Sequence, residues 1–63
     1  MKCSEVIRRV EDAGWRRKRQ SGSHAVYVHP ERPGQILIVP VHGSKEMPSG
    51  TARRILKQAG VIE

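Results

Sequence analysis

The sequence predicts an α+β fold in the order αβββα: a three-stranded antiparallel sheet with two helices on one face. Three observations lead there. Apolar residues recur at helical spacing near both ends of the chain, three short strand-like runs lie between them, and clusters of Gly with Ser or Pro separate those runs. With 63 residues there is room for one hydrophobic core, so a single domain spanning 1–63 is expected. A chain of this size buries only about 60% of the surface it exposes when unfolded, so every core residue matters.

Val6, Ile7, Val10 and Ala13 share one side of a helix, and Glu5, Arg8, Arg9, Glu11 and Asp12 fill the other. Ser4 is the expected cap and Gly14 the expected stop, which gives a helix from about Ser4 to Ala13. Trp15 to Gln20 reads as an edge strand, because Arg16-Arg17-Lys18-Arg19 offers charge rather than apolar surface. Ser21-Gly22-Ser23 then reverses the chain into a second strand, His24 to His29. Both sides of that strand carry apolar residues, so alternation alone does not choose its buried face. Pro30, Pro33 and Gly34 turn the chain again. Gln35 to Pro40 is nearly all aliphatic, which predicts a central or well-covered third strand. After the loop Val41–Met47, Pro48 suits a first helical turn. Ala52, Ile55, Leu56 and Ala59 form an apolar face, and Gly60 with Val61 suits a left-handed cap closing on Leu56. Such an architecture is that of double-stranded-RNA-binding domains, and it leaves the second sheet face or its rim open to a ligand.

Composition narrows the partners. Twelve Lys and Arg against six Asp and Glu give a formal charge of +6, which favours polyanions. Neither helix has the cationic face with bulky apolar anchors that membrane binding needs, and no apolar run is long enough to cross a bilayer. Cys3 is the only cysteine, and no Cys/His set has zinc spacing, so neither a disulfide nor a metal or other cofactor is expected. No signal-peptide pattern is present at the N-terminus, and the expected location is the cytoplasm.

The inventory of reactive residues is short. No Ser or Cys stands at a recognisable spacing from a base, and there is no Gly-rich phosphate loop. An enzyme made of these parts would rely on histidine, with arginine and lysine as electrostatic support. RNA cleavage suits that set: a base takes the ribose 2′-OH proton, an acid protonates the leaving 5′-oxygen, and cations stabilise the phosphorane. Imidazole serves either transfer because histidine titrates near neutrality. DNA has no 2′-OH for the same residues to activate. His24, His29 and His42 compete for the role. His24 follows the turn and lies close behind the cationic run, although a solvated histidine beside a turn is an equally plain reading.

Gly14-Trp15, Gln20-Ser21-Gly22-Ser23-His24, Val39-Pro40-Val41-His42, Gly50-Thr51 and Arg54-Ile55-Leu56-Lys57-Gln58-Ala59-Gly60 together resemble the successive motifs of HicA toxins. The resemblance spans nearly the whole chain, in order. It implies the αβββα fold and an mRNA interferase activity that uses a single histidine, at the position of His24. It also implies a HicB antitoxin partner that covers the active face. The Arg-rich first strand is more cationic than the resemblance leads one to expect.

Around His24 each residue has two readings. Gly22 serves the turn that exposes the histidine. Ser23 either orients the imidazole or bonds a phosphate, or is a plain turn serine. Arg17, Lys18 and Arg19 are candidate RNA contacts, but strand alternation should split them between faces, and one can lay its stem over Trp15. Lys45 is a second candidate phosphate contact or an ordinary loop lysine. Arg53 and Arg54 read as a solvated helix face, and Trp15 and Tyr27 as core rather than base-stacking platforms. The leading reading is a metal-independent endoribonuclease acting on mRNA and restrained by an antitoxin. A non-catalytic double-stranded-RNA-binding module is the alternative, and a subunit docking an acidic protein is a third. No second proton-transfer group is evident beside His24.

Overall fold

The computed structural model describes residues 1–62, with elements α1 (Cys3–Asp12), β1 (Arg16–Ser21), β2 (His24–Val28), β3 (Ile36–Pro40) and α2 (Ser49–Gln58). The strands form one antiparallel sheet in the order β1-β2-β3. This is the expected αβββα arrangement.

Helix α1 begins earlier than its sequence signal. Ser4 does not cap it; the cap position is Lys2, and the exposed amides of the first turn find acceptors elsewhere in the chain. Cys3 N–H donates to Lys45 O at 3.0 Å and Ser4 N–H to Gly43 O at 2.9 Å. The Glu5 carboxylate accepts from Lys2 N–H at 3.2 Å. A loop folded over the helix start thus does the work a serine side chain was expected to do. Both helices end in a Schellman arrangement, with Trp15 N–H returning to Val10 O at 3.1 Å and Val61 N–H to Leu56 O at 2.9 Å.

Side-chain alternation now has a definite sense. Ala25 and Tyr27 of β2 and Leu37 and Val39 of β3 are fully buried beneath the helices. They meet Val6 and Val10 of α1 and Ala52, Ile55 and Leu56 of α2. Burial of side chains the size of Tyr27, Leu37 and Val39 contributes about 1.5–3 kcal/mol each. Strand β1 contributes nothing comparable, since all six of its residues are exposed. Trp15, just before β1, is buried as expected. Its indole N–H donates to Ala59 O at 3.1 Å, which joins the chain after α1 to the end of α2. Among the described residues no β1 cation lies over Trp15; the group over its ring is the Arg32 guanidinium, 5.8 Å from the ring centre.

Strand β3 corrects the expectation of a central or well-covered strand. It is an edge, and Ile36 and Ile38 are 55% and 52% exposed. Its aliphatic run is apolar on both sides, but only Leu37 and Val39 have helices to pack against. His29 also leaves the competition for chemistry. Its Nδ1 accepts from Glu31 N–H at 3.1 Å, so the ring proton sits on Nε2, which donates to Ala13 O at 2.9 Å. The imidazole meets the Trp15 ring edge-on, with centroids 5.3 Å apart. Gly14 makes this contact possible: its φ is +102°, and a Cβ there would stand 2.7 Å from His29 Nε2.

A chain of hydrogen bonds runs from α1 to the β1–β2 turn. Tyr27 Oη donates to Glu11 Oε2 at 2.8 Å and accepts from Arg17 Nη2 at 2.8 Å and Nε at 3.1 Å. Arg17 Nη1 donates to Gln20 Oε1 at 3.0 Å, and Gln20 Nε2 donates to Gly22 O at 3.1 Å. The hairpin is therefore braced against the helix layer by side chains as well as by its ladder.

Two predictions follow from these contacts. Gly14→Ala should cost about 2 kcal/mol through its left-handed backbone and the His29 clash, seen as a fall in Tm of roughly 10 °C in thermal unfolding. Burial, opposed by Arg17 and assisted by Glu11, raises the Tyr27 hydroxyl above its ordinary 10.0. The folded state then holds this proton more tightly than the unfolded chain does. Its contribution to stability is complete below pH 10 and declines as pH rises from there through the raised value. Tyr27 is the only tyrosine, so ultraviolet titration of phenolate should give a midpoint above 10.0. A Tyr27→Phe variant should lack this part of the alkaline loss of stability.

Candidate nucleic-acid site at the β1–β2 hairpin

Ser21 and His24 face each other across the hairpin, leaving Gly22 and Ser23 as a two-residue connection. Gly22 has φ +58° and Ser23 does not share the positive φ, the combination a type II′ turn takes. A side chain at position 22 would meet open space, so glycine is required there by backbone conformation rather than by crowding. His24 opens β2 on the side opposite buried Ala25, exposed and at the very end of the sheet.

The register then determines its company. His24 pairs with Pro40 across β2–β3, and Val41 N–H donates to Ser23 O at 2.6 Å. These contacts deliver the chain after β3 to the side of the hairpin. A cavity of about 350 Å³ opens there, lined by His24, Pro40, His42, Lys45, Glu46 and Thr51, with Cys3, Met47 and Pro48 completing its wall. Cys3 and Met47 are buried, so the wall is apolar where it meets the core, and both histidines and Lys45 are exposed. The Glu46 carboxylate is paired with the Met1 ammonium, which offsets the one negative charge at the rim. A depression of about 360 Å³ on α1 is lined by Glu5, Arg8, Arg9 and Asp12, whose opposed charges leave it a solvated helix face.

The residues singled out in the sequence fall into three groups. His24 and Lys45 share the cavity. Gly22 and Ser23 form the turn, with Ser23 half-buried and its carbonyl bonded to Val41. Arg17, Lys18 and Arg19 remain on β1, outside the cavity wall. A bulge between Arg17 and Arg19 breaks the alternation expected of them. Arg17 pairs with Tyr27 and lies over its ring, 5.4 Å from the centroid, with its guanidinium committed to Tyr27 and Gln20. Arg19 pairs with Val26 and so lies on the open face with Arg16, while Lys18 is the extra residue of the bulge. Arg53 and Arg54 are exposed on α2.

What sequence reasoning lacked was the partnership of His42 with His24. The two are distant in the chain and share no motif spacing, and only the β2–β3 register brings them to one cavity. Among the described residues no group of three or more His, Cys, Asp or Glu is placed to hold a metal ion, and no helix is long and apolar enough to cross a membrane. Chemically, the cavity offers two imidazoles and one ammonium facing solvent beside a cationic strand. Such a set can attract a phosphodiester and exchange protons with it.

Comparison with known proteins gives the family. Residues 3–61 match the family described as the HicA toxin of bacterial toxin-antitoxin systems. A solved structure titled "HicA3 and HicB3 toxin-antitoxin complex" contains a chain 38% identical to this one, with a TM-score of 0.71; the match covers 95% of this chain and 94% of that one. No curated protein gives a significant match. A family match over nearly all of the sequence, on a fold shared at this level of identity, means that the chain belongs to the HicA toxin family.

Proposed function

We propose that this protein is a cytoplasmic toxin that cleaves mRNA as a metal-independent endoribonuclease, with His24 as its catalytic residue. The observation that carries the reading is the exposed His24 imidazole in a cavity with Lys45, at the end of a sheet whose first strand is cationic. The formal charge of +6 favours a polyanionic substrate. Lys45 is close enough to the cavity to balance charge on a phosphorane, and Lys18 and Arg19 are free to hold flanking phosphates. Arg17 acts on RNA only indirectly, through the turn it braces. Ser23 supports the chain at the hairpin, and Gly22 permits the turn.

A HicB-like antitoxin is the proposed protein partner, since the related chain is solved in a complex of that kind. Its site on this protein is the open sheet face. Ile36 and Ile38 are exposed there, Val26 and Val28 lie beside them half-buried, and Arg16 and Arg19 flank the patch. An apolar centre with a cationic margin suits a partner surface that is apolar with an acidic rim. His24 belongs to the same face by alternation, so a protein seated there can reach its imidazole.

Two experiments test these assignments. Purified protein should cleave a long single-stranded RNA in the presence of EDTA, and His24→Ala should lower the rate by about 10²–10⁴-fold while keeping the fold. If neither protein cuts and both bind RNA equally, the chain is a binding module instead. For the partner, Ile36→Ser/Ile38→Ser should weaken binding of a HicB antitoxin at least roughly tenfold in calorimetry. Unchanged affinity would put the interface on another face.

A further inference from the structure

Cleavage at a ribose phosphodiester needs two proton transfers, and His24 alone supplies one of them well. We propose that His42 is the second proton-transfer group, so that the two imidazoles work as an acid–base pair across one cavity. This inference rests on the endoribonuclease reading of the same site.

Three observations support the pairing. Both histidines are exposed and line the same cavity of about 350 Å³, a volume within the range of small-ligand sites and sufficient for a ribose–phosphate unit. They belong to different elements, His24 being the first residue of β2 and His42 lying in the loop after β3, so the cavity holds two separately supported imidazoles. The loop carrying His42 is also tethered on both sides of its tip. Lys45 N–H donates to His42 O at 3.1 Å, Lys45 O and Gly43 O accept from the first turn of α1, and Met47 N–H donates to Met1 O at 2.9 Å. A tethered loop fixes the backbone from which the imidazole projects, which lowers the entropic cost of positioning it for acid–base catalysis.

His29, by contrast, has both ring nitrogens engaged and stands against Trp15. The charged and titratable groups facing His42 are His24 on β2, Lys45 and Glu46 on its own loop, and the Cys3 thiol of α1. Glu46 is paired with the Met1 ammonium. Lys45 stands nearest in sequence as the electrostatic group for the phosphorane, which leaves the imidazoles to move protons.

The step balances without any further reagent. One imidazole accepts the 2′-OH proton as the 2′-oxygen bonds to phosphorus. The bond from phosphorus to the 5′-oxygen breaks with its electron pair, and the second histidine, as imidazolium, donates a proton to that oxygen. The products are a 2′,3′-cyclic phosphate and a 5′-hydroxyl, with one histidine newly protonated and the other deprotonated.

The test is the pH dependence of kcat/KM in EDTA for wild type, His24→Ala and His42→Ala. Two groups required in opposite protonation states give a bell for wild type. His42→Ala should lose about 10²–10⁴-fold in rate, lose one limb of the bell, and recover activity when imidazole is added to the buffer. A His42→Ala profile that keeps both limbs, at full or reduced rate, overturns the assignment while leaving His24 and the ribonuclease reading intact. If the variant is folded but too slow to profile, recovery with imidazole upholds the assignment and failure to recover overturns it. No cleavage by the wild-type protein overturns both this inference and the function on which it rests.

Discussion

The start of α1 leaves amide hydrogens without partners inside the helix, and the shape of the site depends on where they go. Two of them are accepted by Gly43 and Lys45, residues far along the chain. A side-chain cap would have satisfied the helix without involving the loop after β3. With the loop carbonyls as acceptors, the first turn of the protein and its most polar loop become one unit, and the bond from Met47 N–H to Met1 O completes a backbone β-bridge between Lys2 and Glu46. Each neutral bond is worth only about 1 kcal/mol net. Their number and spacing still define a wall, and that wall turns the end of a small sheet into a cavity.

Much of the fold was legible because its signals are local and agree with one another. The apolar periodicity of α1 and α2, the Gly22 turn and the Gly60 cap each point to one conformation, and tertiary structure has no reason to overrule them. Trp15 and Tyr27 read correctly as core because a chain this small cannot leave its only two large aromatic side chains in water. The misreadings concern contacts between distant segments. Ser4 is a good cap by composition, but a loop reached the helix amides first. The aliphatic run of β3 looks like a strand buried on both faces, whereas it is an edge with helices on one side only. The bulge at Lys18 carries no residue signature, since it is a matter of register. In the site, His24 and Lys45 could be named from the chain, but their grouping with His42 follows from the pairing of His24 with Pro40.

The cationic strand takes on a different character once its residues are placed. Four consecutive basic residues suggest a continuous phosphate track. Arg17, however, is folded inward over Tyr27, Lys18 is displaced by the bulge, and Arg16 and Arg19 are left on the open face. None of them forms the cavity wall. Their common effect is a field that extends about 8 Å at physiological ionic strength. Such a field raises the local concentration of a polyanion and orients its approach, while the chemistry, in the function proposed above, falls to the cavity. Division of labour of this kind lets a short chain use nearly all of its sheet edge for attraction without burying a single unpaired charge, and the described residues contain no buried polar or charged side chain without a hydrogen-bond partner.

The exposed aliphatic edge of β3 has a colloidal consequence. A strand with a free hydrogen-bonding side and two bare isoleucines can template the strand of another molecule. In dilute buffer, like charge keeps two copies apart before their edges can meet. Raising the ionic strength to about 1 M shortens the screening length to roughly 3 Å, less than the reach of a lysine side chain, and removes that barrier while strengthening apolar association. Net charge is thus what opposes edge-to-edge pairing at β3, and a molecule that covers Ile36 and Ile38 removes the template altogether.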